Sequence, residues 1–85
     1  MPKTTVEILL EIFSPERMLV HQMVSALELP GTKGRFEVLK GHAPLISTLE
    51  AGDITYTTGT RTESLHIISG FVEVCDNHVS VCVER

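Results

Sequence analysis

The sequence predicts a single all-β domain, a sandwich or barrel, and three observations predict it. Val, Ile and Thr supply 24 of the 85 residues, whereas Ala supplies three. Branching at Cβ restricts a side chain in a helix but suits a pleated surface. Residues 6–12 read Val-Glu-Ile-Leu-Leu-Glu-Ile, which places Val6, Ile8, Leu10 and Ile12 on one face of a strand and Glu7 and Glu11 on the other. Turn signals recur at Ser14-Pro15, Pro30-Gly31, Gly41, Ala51-Gly52-Asp53, Thr58-Gly59 and Asp76-Asn77, with short apolar runs between them.

The first strand is therefore expected over 5–12. Ser14-Pro15-Glu16-Arg17 has room for one helical turn, and nothing supports a longer helix. Apolar runs between turn signals place further strands over 18–24, 25–29, 36–39, 45–49, 53–57, 61–68, 71–75 and 78–83. Asp76-Asn77 suits a two-residue hairpin turn, because both residues tolerate positive φ. That turn sets Cys75 opposite His78, Val74 opposite Val79, Val72 opposite Val81 and Phe71 opposite Cys82. The four valines form a core face. Phe71, Glu73, Cys75, His78, Ser80 and Cys82 form the other, a mixed surface suited to solvent or a partner. No repeat, linker or low-complexity tract interrupts the chain.

Composition excludes several roles. Seven basic against eleven acidic residues give a net charge of −4, the wrong sign for a general nucleic-acid binder, which needs a concentrated basic surface. No apolar run is long enough to span a bilayer as a helix. Met1-Pro2-Lys3-Thr4-Thr5 lacks the apolar core of a secretory signal, so the chain is expected to remain where it is made. Two cysteines are too few for a disulfide scaffold and read as reduced thiols.

Catalytic and metal chemistries find little purchase. In the hairpin register, Cys75 and Cys82 sit four pairs apart, roughly 13 Å. That is too far for a disulfide, or for two thiolates on one zinc ion. Cys75 opposite His78 is the one arrangement that a stand-alone small β enzyme or metal-binding module could use, and it lies on an exposed hairpin with no evident cleft. Ser69-Gly70 lacks the frame of a nucleophile elbow. Gly31-Thr32-Lys33-Gly34 lacks the phosphate-loop spacing. Lys40 lacks the flanks of a lipoyl or biotinyl lysine, and His21, His42 and His66 read as surface or half-buried histidines.

The most constrained segment is Leu29-Pro30-Gly31-Thr32-Lys33-Gly34-Arg35-Phe36-Glu37-Val38-Leu39-Lys40-Gly41-His42-Ala43-Pro44-Leu45. Three glycines and two prolines impose several fixed turns on it. The segment resembles the epsilon subunit of F-type ATP synthases, called delta in mitochondria, at Pro30, Gly31, Gly34, Phe36, Val38, Leu39, Gly41, His42, Ala43, Pro44 and Leu45. Ile12-Phe13-Ser14-Pro15-Glu16, Leu49-Glu50-Ala51-Gly52, Ser69-Gly70-Phe71-Val72-Glu73-Val74 and Asn77-His78-Val79-Ser80-Val81 follow the family's order. The resemblance thus covers nearly the whole chain. Glu37 and Lys40 depart from the family's usual glycine and proline.

The resemblance implies a flattened sandwich of about ten short, mostly antiparallel strands over residues 1–85. It implies a non-catalytic rotor subunit, which binds the gamma subunit and the c-ring so that proton-driven rotation is coupled to ATP synthesis. Ser14, His42 and Ser47 match positions facing gamma. Lys33, Gly34, Arg35 and Phe36 match the loop facing the ring, a locally basic stretch with Lys40 nearby. Charge reversal at Lys33 and Arg35 is expected to weaken ring attachment and leave the domain folded. No cofactor or metal is implied. Nucleotide binding belongs to the family's C-terminal helical pair, which the sequence up to Arg85 does not include, and is not expected here. The implied location is peripheral, on the cytoplasmic face of a bacterial inner membrane.

Overall fold

Ile8, Leu10 and Ile12 are fully buried, whereas Leu9, Glu11 and Phe13 between them are half-exposed. This alternation is that of a strand with one face in a core. The same pattern builds the rest of the computed structural model, which describes residues 6–85. Residues 1–5, including the segment read for a secretory signal and the start of the 5–12 strand, lie outside it. The described chain contains nine strands and no helix: β1 (Ile8–Phe13), β2 (Met18–Val24), β3 (Ala26–Gly31), β4 (Gly34–Leu39), β5 (Leu45–Leu49), β6 (Gly52–Thr58), β7 (Arg61–Ile67), β8 (Ser69–Cys75) and β9 (His78–Glu84).

The strands follow one hydrogen-bonded path, β2-β1-β9-β8-β5-β3-β6-β7, with β4 also paired to β3. β5 meets β3 only at Leu49 and Gly31, and there the path folds into two layers, β2-β1-β9-β8-β5 and β4-β3-β6-β7. The far corner is closed at Ser25, the bend between β2 and β3. Both its N–H and its hydroxyl donate to the Thr57 carbonyl, at 2.8 Å each, so this buried polar residue is satisfied. Gln22 Nε2 adds a hydrogen bond to Thr58 Oγ1 at 2.9 Å. Among the described residues, every pairing is antiparallel except that of β1 with β9.

The expected hairpin register is the observed one. Cys75 pairs with His78, Val74 with Val79, Val72 with Val81 and Phe71 with Cys82. Asp76 and Asn77 take φ of 51° and 60°, the left-handed pair that a twisted two-residue turn requires. The four valines are buried against Leu10, Leu29 and Ile54 in a core shared by both layers.

Two expectations are corrected. Ser14–Arg17 is not a helical turn but the closure of the β1–β2 hairpin. The two residues exchange backbone hydrogen bonds of 2.9 and 3.3 Å around Pro15-Glu16, because antiparallel pairing with β2 leaves no length for a helix. β4 begins at Gly34 rather than 36. The φ of +128° at Gly34 lets Thr32-Lys33 serve as the whole turn, so pairing with β3 resumes at once.

Candidate functional site

The two layers present unlike outer faces. Direct partners across paired strands share a face, so the five-stranded layer shows three outward rows. Met18, Phe13, Cys82, Phe71 and Thr48 make one; His21, Glu11, Ser80, Glu73 and Ile46 the next; Met23, Leu9, His78 and Cys75 the third. Large apolar side chains stand open here: Ile46 is 74% exposed and Phe71 52%. On the four-stranded layer the corresponding rows are Glu37, Glu28, Thr55 and Ser64, then the exposed Leu39, the small buried Ala26, Thr57 and Thr62. The first outer face carries more large apolar side chains, around a polar central row. The second is mostly hydroxylic and charged, with Leu39 as its exposed apolar residue on β4.

Glu11 is the polar centre of the apolar face. His78 Nε2 donates to Glu11 Oε1 at 2.6 Å, and His21 Nε2 lies 3.6 Å from Oε2. One carboxylate on β1 is therefore flanked by imidazoles from both neighbouring strands. Cys75 does not join them: its thiol contacts Asp76 Oδ2 at 3.7 Å. Its pKa is raised, first by the Asp76 charge, then by burial, the hydrogen bond to Asp76 and the charge of Glu73. That environment is the reverse of an activated nucleophile's. Both cysteines are free thiols. Among the described residues, no three His, Cys, Asp or Glu side chains are placed to hold a metal ion.

The residues named from the sequence scatter along the sandwich. Ser14 caps one end of the five-stranded layer, its hydroxyl accepting from Arg17 N–H at 3.3 Å. His42 lies at the opposite end, where Gly41 N–H donates to Asn77 Oδ1 at 2.7 Å and the His42 Nδ1 lies 2.7 Å from the Ala43 carbonyl. Ser47 sits mid-strand on β5. It shares the inward side with Leu45 and Leu49, and its hydroxyl bonds the Thr48 carbonyl at 3.0 Å. The three do not converge; they mark the two ends and the edge of one layer.

Lys33 is at the exposed β3–β4 tip, which is tied to β5 by Thr32 N–H donating to the Thr48 carbonyl at 3.1 Å. Arg35 is spent on its own layer. Its guanidinium bonds Glu28 Oε1 at 3.1 Å, the Asp53 carbonyl at 2.7 Å and Thr55 Oγ1 at 3.2 Å. Phe36 is half-buried against the core, and Lys40 pairs with Glu7. The locally basic stretch thus reduces to Lys33. Sequence reasoning found Phe71, Cys82 and His78 on the outer face. It missed Ile46, which lies in the ambiguous run Leu45-Ile46, and it missed the tie from His78 to Glu11.

The family model for the ATP synthase delta/epsilon chain beta-sandwich domain matches residues 7–85. The chain belongs to that family. Over 75 residues it is 39% identical to the ATP synthase epsilon chain of Solibacter usitatus, covering 88% of this chain and 56% of that one. The epsilon chain of Desulfitobacterium hafniense strain DCB-2 is likewise 39% identical, with 88% and 57% covered. The chain therefore spans about half the length of the curated relatives it matches. A chain in the Euglena gracilis mitochondrial ATP synthase structure, described as OSCP/F1/c-ring, superposes with a TM-score of 0.87 at 23% identity, over 95% of this chain and 52% of that one. One in the central stalk/c-ring of the Tetrahymena thermophila enzyme gives 0.79 at 12%, over 93% and 64%. Those two likenesses establish the shared fold.

Proposed function

We propose that this domain is a non-catalytic element of an ATP synthase rotor, bound to the gamma subunit through the outer face of the five-stranded layer and to the c-ring through the β3–β4 tip. The observation that carries the reading is the apolar row Met18, Phe13, Cys82, Phe71 on the outside of a chain in the delta/epsilon family. Open apolar surface of this kind marks a docking site. Two hydrogen-bonded layers around one core suit a part that transmits torque, because a close-packed interior yields little. Ser14 and His42 would lie at the margins of the gamma contact. Ser47 would support it from the edge strand. At the ring, Lys33 and Gly34 form the exposed tip, while Arg35 and Phe36 brace it from behind.

As part of such a complex, the domain would be peripheral on the cytoplasmic face of a bacterial inner membrane. It would use no cofactor of its own. The rival reading, an enzyme or metal module built on Cys75 and His78, is disfavoured by the raised thiol pKa and by the commitment of His78 to Glu11.

Purified gamma subunit and c-ring, each presented to the immobilised chain, test the reading. Retention of both is expected, with Lys33→Glu reducing ring retention and sparing gamma. Failure to retain gamma would remove the proposal's main support.

A further inference from the structure

One cluster of a carboxylate and two imidazoles lies on the outer face of the five-stranded layer. Its members come from three strands: Glu11 on β1, His21 on β2 and His78 on β9. The remaining ionisable groups around it are Cys82 on β9, Glu73 and Cys75 on β8, Asp76 in the β8–β9 turn, and Glu7, which pairs with Lys40. β5 contributes only Ile46 and Thr48 to this face. Glu11 is the least accessible of the three, its side chain 24% exposed, and it lies between the apolar rows rather than at their rim. A partner covering Phe13, Phe71 and Leu9 must cover Glu11 as well.

Resting on the reading that this face docks gamma, we propose that docking is proton-linked, with the Glu11–His21–His78 cluster taking up one proton as the partner closes over it. With both imidazoles neutral, the cluster carries one negative charge. Removing water from an uncompensated carboxylate is costly. One added proton, shared between carboxylate and imidazoles, makes the cluster neutral overall and keeps its short hydrogen bond. Imidazole is the side chain that ordinarily changes charge between pH 5 and 8. The sign follows: the state that binds partner holds more protons, so affinity rises as pH falls from 8 toward 6. Each linked proton allows a change of up to about tenfold in affinity per pH unit.

The test is calorimetric titration of the full chain with purified gamma subunit, from pH 6 to pH 8, in two buffers of different ionisation enthalpy. The expected result is uptake of about one proton near pH 8 and an affinity that weakens severalfold from pH 7 to pH 8. Glu11→Gln should raise the affinity at pH 8 and flatten the profile, because no carboxylate then needs compensation. His21→Gln with His78→Gln should weaken binding throughout and change the proton uptake, which then falls on the Glu11 carboxylate alone, and this pair carries the test if Glu11→Gln fails to fold by circular dichroism. Binding of constant strength without proton uptake overturns the proposal and leaves the docking reading standing. No binding at any pH overturns both.

Discussion

Gly70 lies where β8 leaves the corner at Leu49 and pairs with Val83. A Cβ placed there would sit 2.5 Å from the Cys82 carbonyl oxygen and 3.2 Å from the Val83 Cα, both backbone atoms that cannot swing away. Gly70→Ala should therefore force β8 and β9 apart. A loss of about 1–3 kcal/mol is expected for such overpacking, read as a lower denaturant midpoint. Tyr56, the chain's one tyrosine, gives a second residue-level expectation. Burial raises its phenol pKa above 10.0, with the charge of Glu63 and a hydrogen bond to it adding to the effect. The folded phenol thus ionises later than the unfolded one, so the unfolded chain binds fewer protons above pH ~10. Tyr56 contributes its full share of stability below that pH and loses it as pH climbs through the folded value. Chemical denaturation from pH 8 to pH 11 should show this alkaline fall, and Tyr56→Phe should reduce it.

At the scale of elements, Arg35 joins β4 to β6 across β3. Its guanidinium reaches Glu28 on β3 and both the Asp53 carbonyl and Thr55 on β6. Arg35→Met keeps the aliphatic stem and removes these bonds. Because the site is largely exposed, a modest cost of about 1 kcal/mol is expected in thermal unfolding. Arg35→Glu should cost more, since it would face Glu28, so reversal at Lys33 alone is the cleaner probe of the proposed ring contact at the β3–β4 tip. The sequence made the strands only partly legible. β2 and β5 match their expected bounds because bends or Pro and Gly flank them. Gly34 and Arg35 carry no strand signal, and only the tight Thr32-Lys33 turn draws them into the ladder. The β8–β9 register was readable because Asp76-Asn77 fixes it locally. The Glu11–His78 pair was not, since it joins residues 67 positions apart through the one parallel pairing. Alternation within a strand cannot say which strand lies alongside.

Across the whole molecule, the consequence of two layers is two independent outer faces on a shared core. The layers' inner residues interdigitate, so the core fixes where each outer face points without dictating its chemistry. One outer face carries Met18, Phe13, Phe71 and Ile46; the other carries Thr55, Thr57, Thr62 and Ser64, with Leu39 on its β4 strand. This asymmetry makes the docking reading a matter of sidedness. Ile46→Glu with Phe71→Glu places two charges on the apolar side at positions that are 74% and 52% exposed. Such open sites tolerate charge with little effect on folding. Beneath a bound partner the same charges would be desolvated without counter-ions, which costs several kcal/mol. Gamma binding should fall by about a hundredfold or more, a loss of roughly 3 kcal/mol, while the thermal midpoint stays near that of the parent. Thr62→Glu with Ser64→Glu adds the same charge to the hydroxylic side and should leave gamma binding unchanged. Calorimetry on the two variants, each checked by circular dichroism, separates the faces. Equal losses from both would mean that net charge governs the association, and equal retention would move the partner off the five-stranded layer altogether.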